Sequence, residues 1–457
     1  ILWPAARHLL PTANVGLFYL MLYAILESAH HEWTAPATLI VAALYFFTGM
    51  IIRGRETGTD TSRPQNLLTT AALVGVATAV QYSGFTTIML WSFEGTVLVW
   101  FGRRWNIRYL MTAGLVFLFA SALKLTDTPG AFFYAYPGDI HPVLNLRNLA
   151  YLAYCASLAA AAWRYRTLDD RIAALISVWL ESAASLALFI LVTITVNDFF
   201  SYRQSLEPTG AAHDLIFRRL MAIGSSWIIF SLPFVSAGLS KAKLTVLISG
   251  LAALLLGVAL VVIRGIVFHP IEVFSPVFNY RVAAFLLAVF ALVIHSMLAG
   301  ARLDRFDWLP DIRNFIGLAI GVTILALLTG ETRDTFGRML SDLGPSGRSG
   351  HDADSFLKYQ NLQQLSLSGV WLLYSGVLLA AGIWKKSKGL RLFSIGLFGL
   401  TILKIFIYDL SFLETLYRIF SFVGLGLILL GVSYAYQRYK HLLFGATGSP
   451  ADDDGSS

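Results

Sequence analysis

The chain contains long apolar runs separated by short polar connections, and this pattern constrains the fold more than any other feature. Apolar runs of about 17 to 25 residues are typical of transmembrane helices, because a helix of that length crosses the hydrocarbon core of a bilayer. Backbone groups in lipid must hydrogen-bond within their own segment, so each run is predicted to be a helix. The fourteen predicted spans are approximately 9–27, 34–52, 67–84, 86–102, 107–124, 145–164, 172–196, 217–238, 243–264, 280–300, 314–330, 366–384, 390–408 and 413–436.

The composition supports the same class. Apolar residues make up 56% of the chain and charged residues 13%, whereas soluble domains average roughly 25% charged residues. A soluble enzyme, a disordered protein and a nucleic-acid-binding module are therefore excluded. The net charge of +7 is what basic cytoplasmic loops produce, so we expect membrane lipids and no nucleic acid as partners. Cys155 is the single cysteine, which excludes a disulfide scaffold, and no cofactor is predicted.

The basic residues predict an orientation. Alternate connections, beginning with the N-terminal segment, are short and contain 21 of the 34 lysines and arginines. Short cytoplasmic loops are enriched in these residues, so both termini are predicted to be cytoplasmic. The three longer polar segments, at about 125–144, 197–216 and 331–365, are then predicted to be outward-facing loops.

Two patterns recur along the chain and indicate an internal repeat. The first is a tryptophan followed eleven residues later by a glycine, and its copies are Trp91 and Gly102, Trp227 and Gly238, and Trp371 and Gly382. The second is Pro-Val-x-Asn-x-Arg, which occurs at 142–147 and 276–281, while a third copy keeps only Tyr417-Arg418. Together they define a repeating unit of four helices.

An even number of helices returns the chain to the same side, so the copies are predicted to be parallel. The predicted fold is therefore an all-α, polytopic integral membrane protein with about fourteen transmembrane helices in tandem parallel four-helix repeats. The predicted parts are a partial repeat of three helices at 1–85, repeats of four helices at 86–212 and 213–358, a repeat of three helices at 359–444 and a disordered tail at 445–457.

Charged residues recur where the second helix of each unit ends and the third begins. The cations are Lys124, Arg264 and Lys404 at the helix ends and Arg147, Arg281 and Arg418 at the helix starts; the accompanying acids are Asp127, Glu272, Asp409 and Glu414. Arginine binds phosphates and carboxylates through two parallel hydrogen bonds, so one interpretation is a set of outward anion-binding pockets. The other interpretation is that ion pairs between these residues hold the two helices of each hairpin together.

The closing part of the chain resembles a known family. The segments that carry the resemblance are Arg391-Leu-Phe-Ser-Ile-Gly396, Lys404-Ile-Phe-Ile-Tyr-Asp409-Leu-Ser-Phe-Leu-Glu414, Tyr417-Arg418-Ile-Phe-Ser-Phe-Val-Gly-Leu-Gly426 and Tyr434-Ala-Tyr-Gln-Arg438. They are similar to the end of the bacterial predicted-membrane-protein family catalogued as domain of unknown function 2339. The resemblance implies a bacterial inner-membrane protein with many helices, and it carries over no catalytic residue. Family members are longer at the N-terminus and this chain begins at Ile1, so we expect further sequence upstream.

Two carboxylates, Glu94 and Glu181, fall within apolar spans. An ionisable group inside a membrane is costly, which makes it a candidate functional residue. Either glutamate could relay protons or bind a cation. The alternative is that each side chain is neutral and hydrogen-bonded to a neighbouring Ser, Thr or Tyr. Phe230 and Tyr374 occupy the positions that match Glu94 in the other two repeats.

Glu27, His30 and His31 form the candidate metal site, because spacings of three and four residues place these side chains on one helix face. Such a group could bind zinc or iron, although adjacent histidines at a helix end are more often solvated.

Three hypotheses for function remain open. They are a structural or assembly component of the bacterial envelope that binds another membrane or envelope protein, a carrier of a lipid-linked or hydrophobic solute, and an outward-facing membrane enzyme. The absence of a complete catalytic motif favours the first.

Overall fold

The computed structural model describes residues 15–26, 30–52, 62–132, 141–206, 212–267, 275–342 and 353–409, together with scattered residues between 419 and 434. This part of the chain is helical and contains no strand, so the predicted all-α class is confirmed. The helices are α1 (Val15–Leu26), α2 (His31–Ile52), α3 (Ser62–Gln81), α4 (Phe85–Trp105), α5 (Arg108–Asp127), α6 (Leu146–Arg166), α7 (Arg171–Leu206), α8 (Ala212–Ser240), α9 (Leu244–Val267), α10 (Tyr280–Gly300), α11 (Leu309–Asp342), α12 (Ala353–Trp384) and α13 (Lys388–Ile407). Glu27, Glu272, Glu414, Arg418, the His31 side chain and the predicted tail at 445–457 lie outside the described residues.

Ten of the described helices are long and apolar enough to cross a membrane. Large apolar side chains lie on their surfaces, including Trp179 (75% exposed), Leu373 (73%) and Phe290 (64%). Each of these ten helices carries exposed large apolar side chains, as expected of helices that lipid chains surround. Among the other predicted spans, α1 is shorter, α3 and α6 are helical but less apolar, and 413–436 lies largely outside the described residues. The number fourteen therefore stays a prediction.

The helices form two compact units, Ile1–Glu207 and Pro208–Ser457. In unit 1, α2 packs on α3, α4 on α5, and α6 on α7, while α4 also contacts α6. In unit 2, α8 packs on α9, α10 on α11, and α12 on α13, while α8 contacts α10 and α11 contacts α12. Each unit therefore consists mainly of helical hairpins, with apolar cores centred on residues such as Val99 and Tyr151 in unit 1 and Ile228 and Phe285 in unit 2.

Two of the segments predicted to be outward-facing loops, at 197–216 and 331–365, are largely helical, so the prediction of loops there is wrong. The helix α7 continues through residues 197–206, α11 continues through 331–342, and α12 begins at Ala353. Hydropathy detects only the part of a helix that is compatible with lipid. A helix can extend into a polar environment when other contacts stabilise it, and both extensions carry acids that contact buried arginines of the preceding helix.

The turns that follow the three Trp-Gly helices have the same geometry. In each turn the glycine carbonyl accepts a hydrogen bond from the amide five residues later, and the residue before that amide has a left-handed backbone. The bonds are Ile107 N to Gly102 O (2.8 Å), Lys243 N to Gly238 O (2.9 Å) and Ser387 N to Gly382 O (3.0 Å); the left-handed residues are Asn106 (φ 57°), Ala242 (φ 50°) and Lys386 (φ 51°). This is the Schellman arrangement that ends many helices.

The glycines in these turns allow the next helix to approach closely. A Cβ atom on Gly102 would lie 2.7 Å from the Met111 nitrogen, and one on Gly238 would lie 2.6 Å from the Leu247 nitrogen. Such contacts are shorter than van der Waals separations, so a larger residue would displace the following helix. The recurring Trp–Gly spacing therefore corresponds to a tight helical hairpin.

Candidate functional site

The Pro-Val-x-Asn-x-Arg motif forms the start of α6 in unit 1 and of α10 in unit 2. Asn145 Oδ1 accepts a hydrogen bond from the Asn148 amide (2.8 Å), and Asn279 Oδ1 accepts one from the Val282 amide (2.9 Å). Asparagine is among the preferred N-cap residues because its side chain satisfies an amide of the first turn. The motif therefore sets the start of the helix in both copies and places its arginine in the first turn.

Both motif arginines are buried and ion-paired. The Arg147 guanidinium contacts the Asp198 carboxylate on α7, and both side chains are 1% exposed. In unit 2, Arg281 Nη2 lies 2.5 Å from Asp334 Oδ2 on α11, and these side chains are also 1% exposed. In each unit, the pair joins the start of one helix to the extension of the helix that follows it in the chain.

The surroundings of the Arg281–Asp334 pair, which we call the unit 2 corner, contain a second acid, Glu331. Glu331 accepts hydrogen bonds from Asn279 Nδ2 (2.9 Å to Oε1) and from the Val277 amide (3.1 Å to Oε2), and its Oε1 lies 3.4 Å from Arg281 Nη1. Arg333 Nε adds a contact of 3.0 Å to the Asp334 carboxylate. Val277 has a φ of 68°, a backbone conformation that β-branched residues rarely adopt. Glu331 therefore stabilises a strained turn as well as the arginine.

A cavity of about 640 Å³ lies beside the unit 2 corner. Asp214 and Arg218 of α8 form an ion pair at this cavity, and the Arg218 guanidinium lies 4.5 Å from the centre of the Tyr280 ring. The Arg281 side chain also lines the cavity, but its charge is engaged by acids on α11. The cavity could admit a small amphipathic group, with Arg218 as the more accessible cation.

The cations at the ends of the second helices have different surroundings. The Lys124 side chain is 36% exposed, and its Nζ lies 3.6 Å from Asp127 Oδ2. Arg264 is also exposed. In contrast, Lys404 Nζ contacts Asp409 Oδ1 (2.8 Å) and Ser368 Oγ (2.6 Å), and the Asp409 side chain is fully buried. Lys404 therefore ties the end of α13 to α12.

Glu94 and Glu181 differ in their contacts. Both carboxyl oxygens of Glu94 are buried and have no hydrogen-bond partner among the described residues. Its Oε2 faces Gly75 of α3, where a Cβ atom would lie 3.6 Å away. Glu181 instead forms an ion pair with Arg166 at the end of α6. Of these two glutamates, Glu94 alone has an unsatisfied carboxyl group within the described part of the chain.

The candidate metal residues are incompletely described. His30 is exposed, while Glu27 and the His31 side chain lie outside the described residues. In the part of the chain that the structure describes, no group of three histidine, cysteine or acidic side chains could hold a metal ion.

His295 is buried, and its two ring nitrogens contact Ser231 Oγ (3.1 Å) and a backbone carbonyl of its own helix (2.7 Å).

The acids that pair with the motif arginines are not among the site residues predicted from the sequence. Asp198, Glu331 and Asp334 lie just beyond the apolar runs that mark the spans, so they were assigned to loops. Their spacing is a sequence signal for them, because an aspartate follows the motif arginine by 51 residues in one copy and 53 in the other.

The sequence matches the family described as Predicted membrane protein (DUF2339) over residues 5–439. No curated protein and no solved structure matches the chain significantly.

Proposed function

We propose that this chain, which belongs to the Predicted membrane protein (DUF2339) family, is a structural or assembly component of a protein complex in the bacterial inner membrane. The observation that carries the proposal is that both motif arginines are committed to internal ion pairs. Arg147 and Arg281 are each 1% exposed and contact acids of the same unit. Their charges therefore join helices and are not displayed to a soluble ligand.

The energetics of buried ion pairs support this assignment. Two paired charges in a low-dielectric interior contribute little net stability compared with apolar residues, but removing one partner costs about 3–5 kcal/mol. Such pairs are suited to specifying which helices meet and in which register. We assign Arg147–Asp198 and Arg281–Asp334 this role, which a rigid membrane scaffold requires.

The proposal includes tandem parallel four-helix repeats with both termini in the cytoplasm. Support for the repeats comes from the three turns of equal geometry after Gly102, Gly238 and Gly382. Further support comes from the two asparagine-capped helix starts, each followed by a buried Arg–Asp pair. The orientation rests on the distribution of lysine and arginine among the connections.

The test is purification of the tagged full-length chain from its native host in mild detergent. We expect a stoichiometric membrane or envelope polypeptide to co-purify with the wild-type chain. The matched variant is Arg147→Met/Asp198→Val, which removes the ion pair without leaving an unpaired charge, and it should retain the partner. Isolation of the chain alone would contradict the proposal, as would a folded double variant that has lost the partner.

A carrier function is the second candidate, and the unsatisfied carboxyl group of Glu94 favours it. A buried polar group without a partner is expensive in an apolar environment, and transporters use such carboxylates as proton or cation sites. Glu94 would bind a proton from one side of the membrane and release it to the other, with or without bound solute. Glu181 would not take part, because Arg166 already engages it.

Proton flux in reconstituted vesicles tests the carrier function. The full-length chain is placed in liposomes that contain a pH-sensitive dye, and a potassium diffusion potential drives protons. Under the carrier hypothesis, the wild-type chain conducts protons, Glu94→Gln abolishes the flux and Glu181→Gln preserves it. Equal flux in wild-type and Glu94→Gln vesicles, or no flux above that of empty liposomes, argues for the scaffold alone.

A further inference from the structure

The ends of α4 and α6 in unit 1 meet at a cavity of about 550 Å³ that is rich in arginine. Arg103 Nε and Nη2 donate hydrogen bonds to Thr167 Oγ1 and to the Thr167 carbonyl, each at 3.3 Å. These bonds join the last turn of α4 to the residue that follows α6. Arg104 and Arg164 also line the cavity, so three guanidinium groups surround one space.

Aromatic rings fix the position of Arg164. Its guanidinium carbon lies 3.2 Å from the centre of the Trp100 ring and 4.6 Å from the centre of the Trp163 ring. Cation–π stacking of this kind holds the plane of the group and leaves the N–H donors at its edge available. The Arg164 Nε atom is buried and has no hydrogen-bond partner among the described residues. The side chain is therefore oriented without its hydrogen-bonding capacity being used.

The arginines that line this cavity have no ion-pair partner among the described residues. Within the described part of the chain, Arg103, Arg104 and Arg164 form no ion pair, whereas the neighbouring Arg166 is paired with Glu181. The carboxyl ends of α4 and α6 each supply about half a negative elementary charge through the helix dipole. Asp169 and Asp170, in the exposed turn after α6, form no ion pair with the three arginines. The guanidinium groups therefore keep N–H donors that an anion can accept.

We propose that Arg103, Arg104 and Arg164 form a binding pocket for a phosphate group at the predicted cytoplasmic end of unit 1. Arginine pairs bidentately with phosphate oxygens, and basic pockets between transmembrane helices accommodate anionic lipid headgroups. Trp100, which is 45% exposed, and Phe101, which is 40% exposed, lie beside the cavity where acyl chains would pass. The same phosphate chemistry is available from a lipid headgroup or from free phosphate, and the experiment separates the two sources.

The experiment measures phosphate and lipid binding by the full-length chain in detergent. Phosphatidylglycerol is titrated against phosphatidylcholine, and native mass spectrometry counts the bound lipids. Inorganic phosphate is titrated separately at constant ionic strength. The test variant is Arg103→Gln/Arg104→Gln/Arg164→Gln. The control Lys241→Gln/Arg302→Gln/Arg305→Gln removes the same charge from exposed positions that are predicted to lie on the same side.

If a lipid is the ligand, the wild-type chain prefers phosphatidylglycerol, the test variant weakens this binding about tenfold or more, and the control stays near the wild-type value. If the source is soluble, inorganic phosphate binds with the same dependence on the variants and phosphatidylglycerol is not preferred. Equal losses in test and control variants would overturn the proposal, as would a wild-type chain that binds neither probe.

A single substitution keeps the proposal testable should the triple variant fail to fold. Arg104 is exposed, so Arg104→Gln leaves the packing of α4 intact. We expect it to weaken phosphate or phosphatidylglycerol binding about threefold, because solvent screens an exposed charge. Unchanged binding of both probes by a monodisperse Arg104→Gln protein would also overturn the proposal.

Discussion

Arg147 and Asp198 are separated by 51 residues in the sequence and form one ion pair in which each side chain is 1% exposed. Arg147 lies in the first turn of α6, and Asp198 lies on the part of α7 beyond its apolar run. The contact explains why α7 continues as a helix through a segment whose composition predicts a loop. It also fixes the register of α6 against α7.

Breaking this pair from one side is expected to destabilise unit 1 strongly. In Arg147→Met or Asp198→Val, the remaining charge is buried without its partner, which costs about 3–5 kcal/mol. In Arg147→Met/Asp198→Val both charges are absent, so we expect most of the stability to return. Thermal and denaturant unfolding in detergent, monitored by circular dichroism, measures the change in unfolding free energy of each of the three variants relative to the wild type.

The pair of Lys124 and Asp127 provides the control for this double-mutant cycle. The two groups are 3.6 Å apart, and the aspartate side chain is 79% exposed. Exposed ion pairs contribute about 0–1 kcal/mol, so Asp127→Asn should leave the unfolding free energy almost unchanged. If Asp127→Asn and Asp198→Val lowered the unfolding free energy by similar amounts, burial would not be the reason that the Arg147–Asp198 pair is costly to break.

The sequence predicts local features of this fold well and long-range contacts poorly. The span predicted at 280–300 coincides with α10 (Tyr280–Gly300), because the N-cap asparagine and the apolar run mark the same start. The prediction at 172–196 is too short for α7 (Arg171–Leu206), because hydropathy records suitability for lipid and not helicity. The recurring arginines were identified from the sequence, but their acidic partners lie on other helices and leave no local periodicity.

Glu94 and Glu181 are expected to respond in opposite directions when they are replaced by leucine. The Glu94 carboxyl group is buried without a hydrogen-bond partner among the described residues, so Glu94→Leu should raise the unfolding free energy by about 1–2 kcal/mol. Glu181→Leu removes the partner of Arg166 and should lower it by about 1 kcal/mol or less, because that arginine is 41% exposed. Thermal unfolding of both variants in the same detergent shows whether each substitution raises or lowers the unfolding free energy. Destabilisation by Glu94→Leu would indicate an unobserved partner for the carboxyl group.

Two glycines of α12 offer a matched test of close helix packing. A Cβ atom on Gly382 would lie 2.8 Å from Arg391 Cγ and 3.0 Å from the Arg391 nitrogen, whereas nothing lies within 4 Å of a Cβ atom on Gly376. We expect Gly382→Ala to destabilise the protein by about 1–3 kcal/mol through steric strain. Gly376→Ala should be neutral or stabilising by up to about 1 kcal/mol, because alanine favours the helix. Apparent melting temperatures of the two variants measure the difference, and equal values would mean that the α12–α13 hairpin can open at Gly382 without cost.

The two copies of the Pro-Val-x-Asn-x-Arg motif differ at the valine. Val277 has a φ of 68°, whereas Val143, at the same motif position, does not have a positive φ. A left-handed backbone costs an L-residue roughly 1–2 kcal/mol, and Glu331 holds Val277 in it by accepting a hydrogen bond from its amide (3.1 Å).

Replacement of these valines by glycine is therefore expected to have opposite effects. Val277→Gly relieves the left-handed strain but adds about 0.5–1 kcal/mol of unfolded-state entropy, so its net effect should be a stabilisation of about 0.5–1 kcal/mol. Val143→Gly has only the entropic term and should destabilise the protein by about 0.5–1 kcal/mol. Chemical unfolding curves of both variants supply the two free energies. A destabilised Val277→Gly protein would show that the valine side chain, although 62% exposed, contributes packing that exceeds its backbone strain.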